Sequence, residues 1–209
     1  MSRNGGTTRP TAPPGAPRPS SIEQPWRLLS EEIRGCRKCR LHATRTQAVV
    51  YRGSLTPKVL FVGEAPGSAE DRVGIPFVGR SGRHLDAAVA RLGLTPEEFG
   101  VLNVLKCRPP GNRFDPGAAR TCRPYLDRQI ALLDPEVLVT LGSHALHALA
   151  PDAPSVLLAA GRPRSRGERP IFPLIHPAAA MRSRRLLARW THDVAELHRW
   201  LAHRRAQPV

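Results

Sequence analysis

The sequence predicts an α/β protein, a three-layer αβα sandwich around a central four-stranded, mostly parallel sheet. Two observations carry that expectation. Four short apolar runs, "KVLFV" (58–62), "VLNVL" (101–105), "EVLVTL" (136–141) and "PIFPLI" (170–175), have the length and branched-residue content of buried strands. Between and after them lie stretches with apolar residues at helical spacing. Strands alternating with helices build parallel sheets covered on both faces.

The elements follow in order. Residues 1–21, "MSRNGGTTRPTAPPGAPRPSS", hold Pro, Gly, Ser and Thr without large apolar side chains, which predicts a disordered tail. The folded domain is expected over 22–203, with a short tail at 204–209. In "PWRLLSEEIRGC", Trp26, Leu29 and Ile33 fall on one helical face, and Gly35 is a stop signal. After the first strand, Ser81 is expected to cap a helix carrying Leu85, Val89 and Leu92, closed by Gly93. "TPEE" (95–98) reads as a second helix start with Pro96 in its first turn. Residues 117–133 read as a helix with Leu126, Ile130 and Leu133 inward, and Ser143 opens a short one, "HALHALA". Pro173 argues that the fourth strand is an edge or bulged. A last helix, about 183–203, carries Leu186, Trp190, Val194, Leu197 and Leu201.

The formal net charge is +15, and of 32 basic residues only Lys38, Lys58 and Lys106 are lysines. Such a balance points to a polyanionic partner, foremost nucleic acid. No apolar run approaches the roughly 18 residues of a membrane span, and the N-terminus has no apolar signal core. An intracellular, cytoplasmic protein is therefore expected. Disulfides are rare there, so four cysteines need another role.

In open parallel sheets, ligands bind beyond the carboxyl ends of the strands. There the first strand delivers Gly63, Glu64, Ala65, Pro66 and Gly67; the second, Asn103 and then Lys106 and Cys107; the fourth, His176. A carboxylate, an amide and an imidazole can thus meet on one rim. Asn103 inside an apolar strand must find partners or cost about 1–3 kcal/mol. "GEAPG" has neither the Lys-Ser/Thr of a P-loop nor G-x-G-x-x-G, which argues against a phosphate cradle. Cys36 and Cys39 form C-x2-C, and Cys107 and Cys122 form C-x14-C. Four thiolates suit zinc or an iron–sulfur cluster, and the spacing leaves both open. Arg34, Arg37, Lys38, Arg40, Arg108 and Arg113 surround them, a set suited to phosphate contacts.

Five motifs together resemble the family 4 uracil-DNA glycosylases, the iron–sulfur branch of their superfamily: "GCRKCRLH", "VGEAPGSAEDRVGIPFVGRSG", "NVLKCRPPGNR", "CRPYLDRQIALLDPEVLVTLG" and "IHPAAAMR". The resemblance spans about residues 28–201. It implies a structural [4Fe–4S] cluster on Cys36, Cys39, Cys107 and Cys122. It also implies a monomer that acts on uracil-containing DNA, single- or double-stranded, in the cytoplasm of a bacterium or archaeon at the nucleoid. Uracil would be flipped out of DNA and its N-glycosidic bond hydrolysed, leaving an abasic site. Residue by residue, the resemblance implies that Phe77 stacks on the base and Asn103 reads its edge. His176 supports the departing base, Glu70 is a pocket acid close to it, and Gly63 and Gly67 line the site. The best-known branch of the superfamily has a water-activating Asp at the place of Ala65, so Glu64 becomes the candidate to orient the water. Met181 is the expected wedge into the vacated stack, with Arg182, Arg184 and Arg185 on phosphates.

Two other readings compete. A non-catalytic nucleic-acid binder with a structural metal fits the charge and cysteines equally well; the carboxylate, amide and imidazole on three strand ends favour an enzyme. A branch of the same superfamily crosslinks itself to its abasic product through a His in an inserted basic loop. The matching segment here, "RPPGNRFDPGAARTC", is short and has no His, which favours turnover.

Overall fold

A computed structural model describes residues 22–166 and 169–206; the tail expected over 1–21 lies outside the described residues. In chain order the elements are α1 (Glu23–Gly35), β1 (Arg52–Gly53), β2 (Val59–Gly63), α2 (Ser68–Val73), α3 (Arg80–Arg91), β3 (Phe99–Asn103), α4 (Pro116–Leu133), β4 (Val137–Leu141), α5 (Ser143–Leu149), α6 (Val156–Ala159), β5 (Arg164–Arg166), β6 (Arg169–Leu174), α7 (Pro177–Ala180) and α8 (Arg184–Ala206). They form a mixed α/β structure around one sheet of order β1-β3-β2-β4-β6-β5. The four expected strands are its parallel centre. The sheet has six strands rather than four because β1 and β5 add antiparallel at its two edges. With two and three residues respectively, they are too short to leave a periodic trace in the sequence.

The apolar runs divide between two faces because successive strand residues point opposite ways. On β2, Val59 and Phe61 pack with Leu85, Val89, Trp190, Val194 and Leu197 of α3 and α8. Leu60 and Val62 pack with Leu126, Ile130, Leu146 and Leu149 of α4 and α5. Helices therefore cover both faces, and burying each such side chain contributes about 1.5–3 kcal/mol. α1 joins the second face through Leu29 and Ile33 against Tyr125 of α4. None of the described helices is long and apolar enough to cross a membrane.

Four local expectations are corrected. Gly79, not Ser81, is the N-cap of α3. "TPEE" makes a closed turn rather than a helix: Glu98 donates its N–H to the Thr95 carbonyl, and its carboxylate accepts the Thr95 N–H. The chain enters β3 directly at Phe99, leaving no room for further turns. Pro173 sits on a strand flanked on both sides, yet the pairing with β5 covers only Arg169 to Ile171, so its missing N–H breaks no ladder bond there. Finally, α8 runs on to Ala206, past the expected helix end at 203, and Ser183 Oγ accepts the Leu186 N–H in its first turn.

Candidate active site

The carboxyl ends of the parallel strands converge on one rim. Gly63 and Asn103 are register partners at the ends of β2 and β3. The Val104 and Leu105 N–H groups then donate to the Gly63 and Glu64 carbonyls, locking the two exits together. Asn103 is only 2% exposed, and its Oδ1 is buried without a hydrogen-bond partner. Such an orphan acceptor costs about 1–3 kcal/mol unless a ligand donor meets it. Below Asn103 the Lys106 ammonium, fully buried, donates to the Asn103 carbonyl and fixes the backbone that carries the amide.

Gly63 is the floor of this corner. A Cβ there would lie 2.6 Å from the Phe77 ring and collide with Asn103 Oδ1, so only glycine leaves amide and ring together. Phe77 is buried, and its backbone is left-handed (φ 56°), a region that bulky residues avoid. It is held there by α3, whose Gly82 packs flat against the Phe77 carbonyl. Between Gly63 and Phe77, Glu70 braces the loop: its carboxylate accepts from Gly67 N–H at 3.1 Å and Gly79 N–H at 2.8 Å. Ala65 packs toward Leu105, Cys107 and Cys122.

His176 follows β6 as the N-cap of α7, and its Nδ1 accepts the Ala178 N–H at 3.1 Å. An accepting Nδ1 carries no proton, so the neutral ring bears its proton on Nε2. Burial pushes the His176 pKa below the ordinary histidine value; the Glu64 carboxylate opposes this, Arg182 adds to it, and Glu70 opposes it. The imidazole lies 5.9 Å from Phe77, centroid to centroid. Gly142 after β4 (φ 91°) passes so close that a Cβ would meet His176 Cβ at 3.1 Å. Beyond α7, Met181 projects into solvent, 39% exposed, and Arg182 follows it on the exposed surface.

One rim residue escaped the sequence reading. His144, at the start of α5, donates from Nδ1 to Glu64 Oε2 at 2.8 Å and stacks on Phe114, centroids 3.9 Å apart and 18° from parallel. Its signal was its place three residues beyond the third strand's end, in a stretch expected only to open a short helix.

Behind Ala65 the four cysteines line one partly open pocket of ≈ 300 Å³, with Arg45, Lys106 and Tyr125 among its walls. Cys36 caps the end of α1, Cys39 opens a 3-10 turn, Cys107 follows β3, and Cys122 lies in α4. Arg45 Nη1 donates to Cys107 Sγ at 2.9 Å. Burial pushes the Cys107 and Cys122 thiols up, opposed by Arg45 at Cys107 and by the Lys106 N–H and ammonium at Cys122. Burial also pushes Lys106 down to about 7, against the pull of Cys122 and Cys107. The buried Lys106 and half-buried Arg45 beside these sulfurs fit an anionic tetrathiolate group. Among the described residues, no three His, Cys, Asp or Glu side chains draw together as a single-ion site.

Comparison with known proteins agrees with this geometry. Residues 50–198 match the family model of the uracil DNA glycosylase superfamily. The chain is 37% identical to the type-4 uracil-DNA glycosylase of Thermotoga maritima over 165 residues, which cover 78% of this chain and 86% of that protein. It is 40% identical to that of Sulfurisphaera tokodaii over 164 residues, 73% and 74% of the two chains. Over a shorter stretch of 118 residues, 56% of this chain and 59% of the other, it is 47% identical to that of Archaeoglobus fulgidus. A rim that joins the ends of three parallel strands over four clustered cysteines, together with these matches, places the chain in the uracil-DNA glycosylase superfamily, among its type-4 members.

Proposed function

We infer that this protein is a DNA-repair glycosylase, a hydrolase that releases uracil from DNA and leaves an abasic site. The observation that carries the reading at the site is the buried, partnerless Asn103 Oδ1 beside the Phe77 ring. Uracil N3–H is the donor that acceptor lacks, and the Asn103 amide N–H in turn suits uracil O4. Cytosine presents the reverse pattern and would leave polar groups unpaired, a discrimination of about 1–3 kcal/mol.

The base must leave the stack, at a cost of a few kcal/mol. In this reading Met181 fills the gap and Arg182 grips a phosphate, roles that their exposure beside α7 supports. Phe77 stacks on the flipped ring, and the wall braced by Glu70 limits room at C5, where thymine carries its methyl. Bond breaking leaves charge on uracil, and a neutral His176 offers Nε2–H to O2 as a fixed donor; one such donor is typically worth about 3–4 kcal/mol. Water then attacks the sugar carbon. With Ala65 offering no acid, Glu64 is the carboxylate on the rim that can orient it. In this reading the protein is a monomer that acts on uracil-containing DNA, single- or double-stranded.

The four cysteines, which line one pocket beside Arg45 and Lys106, are read as the ligands of the [4Fe–4S] cluster that the likeness to the type-4 enzymes suggests, with zinc as the alternative. When bound, the cluster supplies a structural link between α1, the segment after β3 and α4, and no step of the hydrolysis.

The test is release of free uracil from a defined uracil-containing single strand, with Asn103→Ala as the control. Asn103→Ala should lose most activity, as expected when the base-reading pair is removed. Wild-type rates from that variant would sink the assignment of Asn103, and no free uracil from the intact protein would sink the function.

A further inference from the structure

We propose that His144 is the positioning residue of the Glu64 carboxylate, so that water is oriented by a Glu64–His144 pair rather than by Glu64 alone. The proposal rests on reading Glu64 as the water-orienting group. Glu64 leaves β2 at the rim with its side chain about a third exposed, so nothing in its own strand fixes the carboxylate. His144 supplies what is missing. A carboxylate only accepts, so the 2.8 Å contact requires the proton on His144 Nδ1, donated to Glu64 Oε2. That leaves Glu64 Oε1 as the oxygen free to hold a water.

The imidazole is itself fixed on two sides. His144 is the second residue of α5, whose N-cap is Gly142, and the positive-φ turn of Gly142 is packed against His176. Its ring lies flat on Phe114, which belongs to the segment between Cys107 and Cys122 and precedes the Asp115 cap of α4. Two planar groups at 3.9 Å and 18° leave the imidazole little freedom to swing away. An exposed histidine with ordinary rotamer freedom would hold a carboxylate poorly; one pinned between a strand exit and an aromatic ring holds it well. A misplacement of about 1 Å at a reacting group can cost about a hundredfold in rate, so a residue that merely aims Glu64 has a kinetic signature.

The test is a double-mutant cycle under single-turnover conditions on a uracil-containing single strand. His144→Ala should slow the chemical step about ten- to a hundredfold. Its affinity for DNA carrying an uncleavable uracil analogue should stay within about twofold. His144→Asn, whose amide nitrogen falls where Nδ1 donates, should recover most of the rate. In a Glu64→Ala background, His144→Ala should cost nothing further. His144 is 47% exposed, so its variants should fold, and equal melting temperatures verify that. Three results would overturn the proposal while leaving the function intact: a His144→Ala rate equal to wild type, an equal cost in both backgrounds, or no recovery with Asn. If Glu64→Ala turns over at the wild-type rate while Asn103→Ala is inactive, the reading of Glu64 fails instead.

Discussion

His176 decides how the site responds to pH. Its Nδ1 accepts the Ala178 N–H, so a second proton would set two donors against each other while burial disfavours the charge. The neutral ring is therefore the form that its proposed role as donor uses, and its folded pKa lies below the ordinary value of about 6.5. The sign follows. A depressed pKa keeps the neutral form above it, so activity should stay flat as pH falls through neutrality and drop only at more acidic values. Folding is linked in the same direction: the unfolded chain takes up the proton first, so His176 contributes a loss of stability as pH falls below about 6.5. A single-turnover pH profile checks this, and a rate that climbs between pH 7 and pH 6 would show the imidazolium to be the active form. Asn103 and His176 could be singled out from sequence because one is an amide inside an apolar run and the other an imidazole directly after one. The direction of the His176 proton could not, because it is set by the backbone of α7.

Phe77 depends on the element behind it. α3 meets the Phe77 turn at Gly82, where a Cβ would overlap the Phe77 carbonyl and carbonyl carbon, backbone atoms that cannot swing aside. Gly82→Ala should therefore cost about 3 kcal/mol, at the upper end of ordinary overpacking. In a chain of this size that lowers the melting temperature by about 6–12 °C. Uracil affinity should fall with it, because the ring proposed to stack on the base shifts together with its carbonyl. Unchanged melting and unchanged affinity would show that α3 does not hold Phe77. The parallel strands and the long helices were legible because their periods run over five residues or more. β1, β5, α6 and α7 have two to four residues each, too few to show a period. The same limit hid the turn at "TPEE", whose residues suit a helix start while β3 begins immediately after them.

At the scale of the whole molecule, the cysteine pocket ties together parts of the chain that the sheet does not. Cys36 closes α1, Cys39 opens the 3-10 turn after it, Cys107 follows β3, and Cys122 lies in α4. Sequence spacing found the four residues but left zinc and iron–sulfur equally open, because spacing carries no information on the charges around the sulfurs. Those charges are Arg45, bound to Cys107, and Lys106, wholly buried and bound through Asn103 to the base pocket. Loss of the proposed cluster should thus be felt in both places. Cys122→Ser removes one sulfur from a buried site and leaves Lys106 short of its counter-charge. Removing one partner of a buried ionic set costs about 3–5 kcal/mol, which for a protein of this size lowers the melting temperature by about 6–20 °C. The purified wild-type protein should be brown, absorb near ~400 nm and contain iron; the variant should lose the colour and the iron together. Uracil affinity should weaken as well, since Asn103 stands on the Lys106 ammonium. Stoichiometric zinc without iron in the wild type would overturn the cluster. A colourless variant with unchanged melting and unchanged uracil affinity would show that the pocket does not brace the fold or the base site.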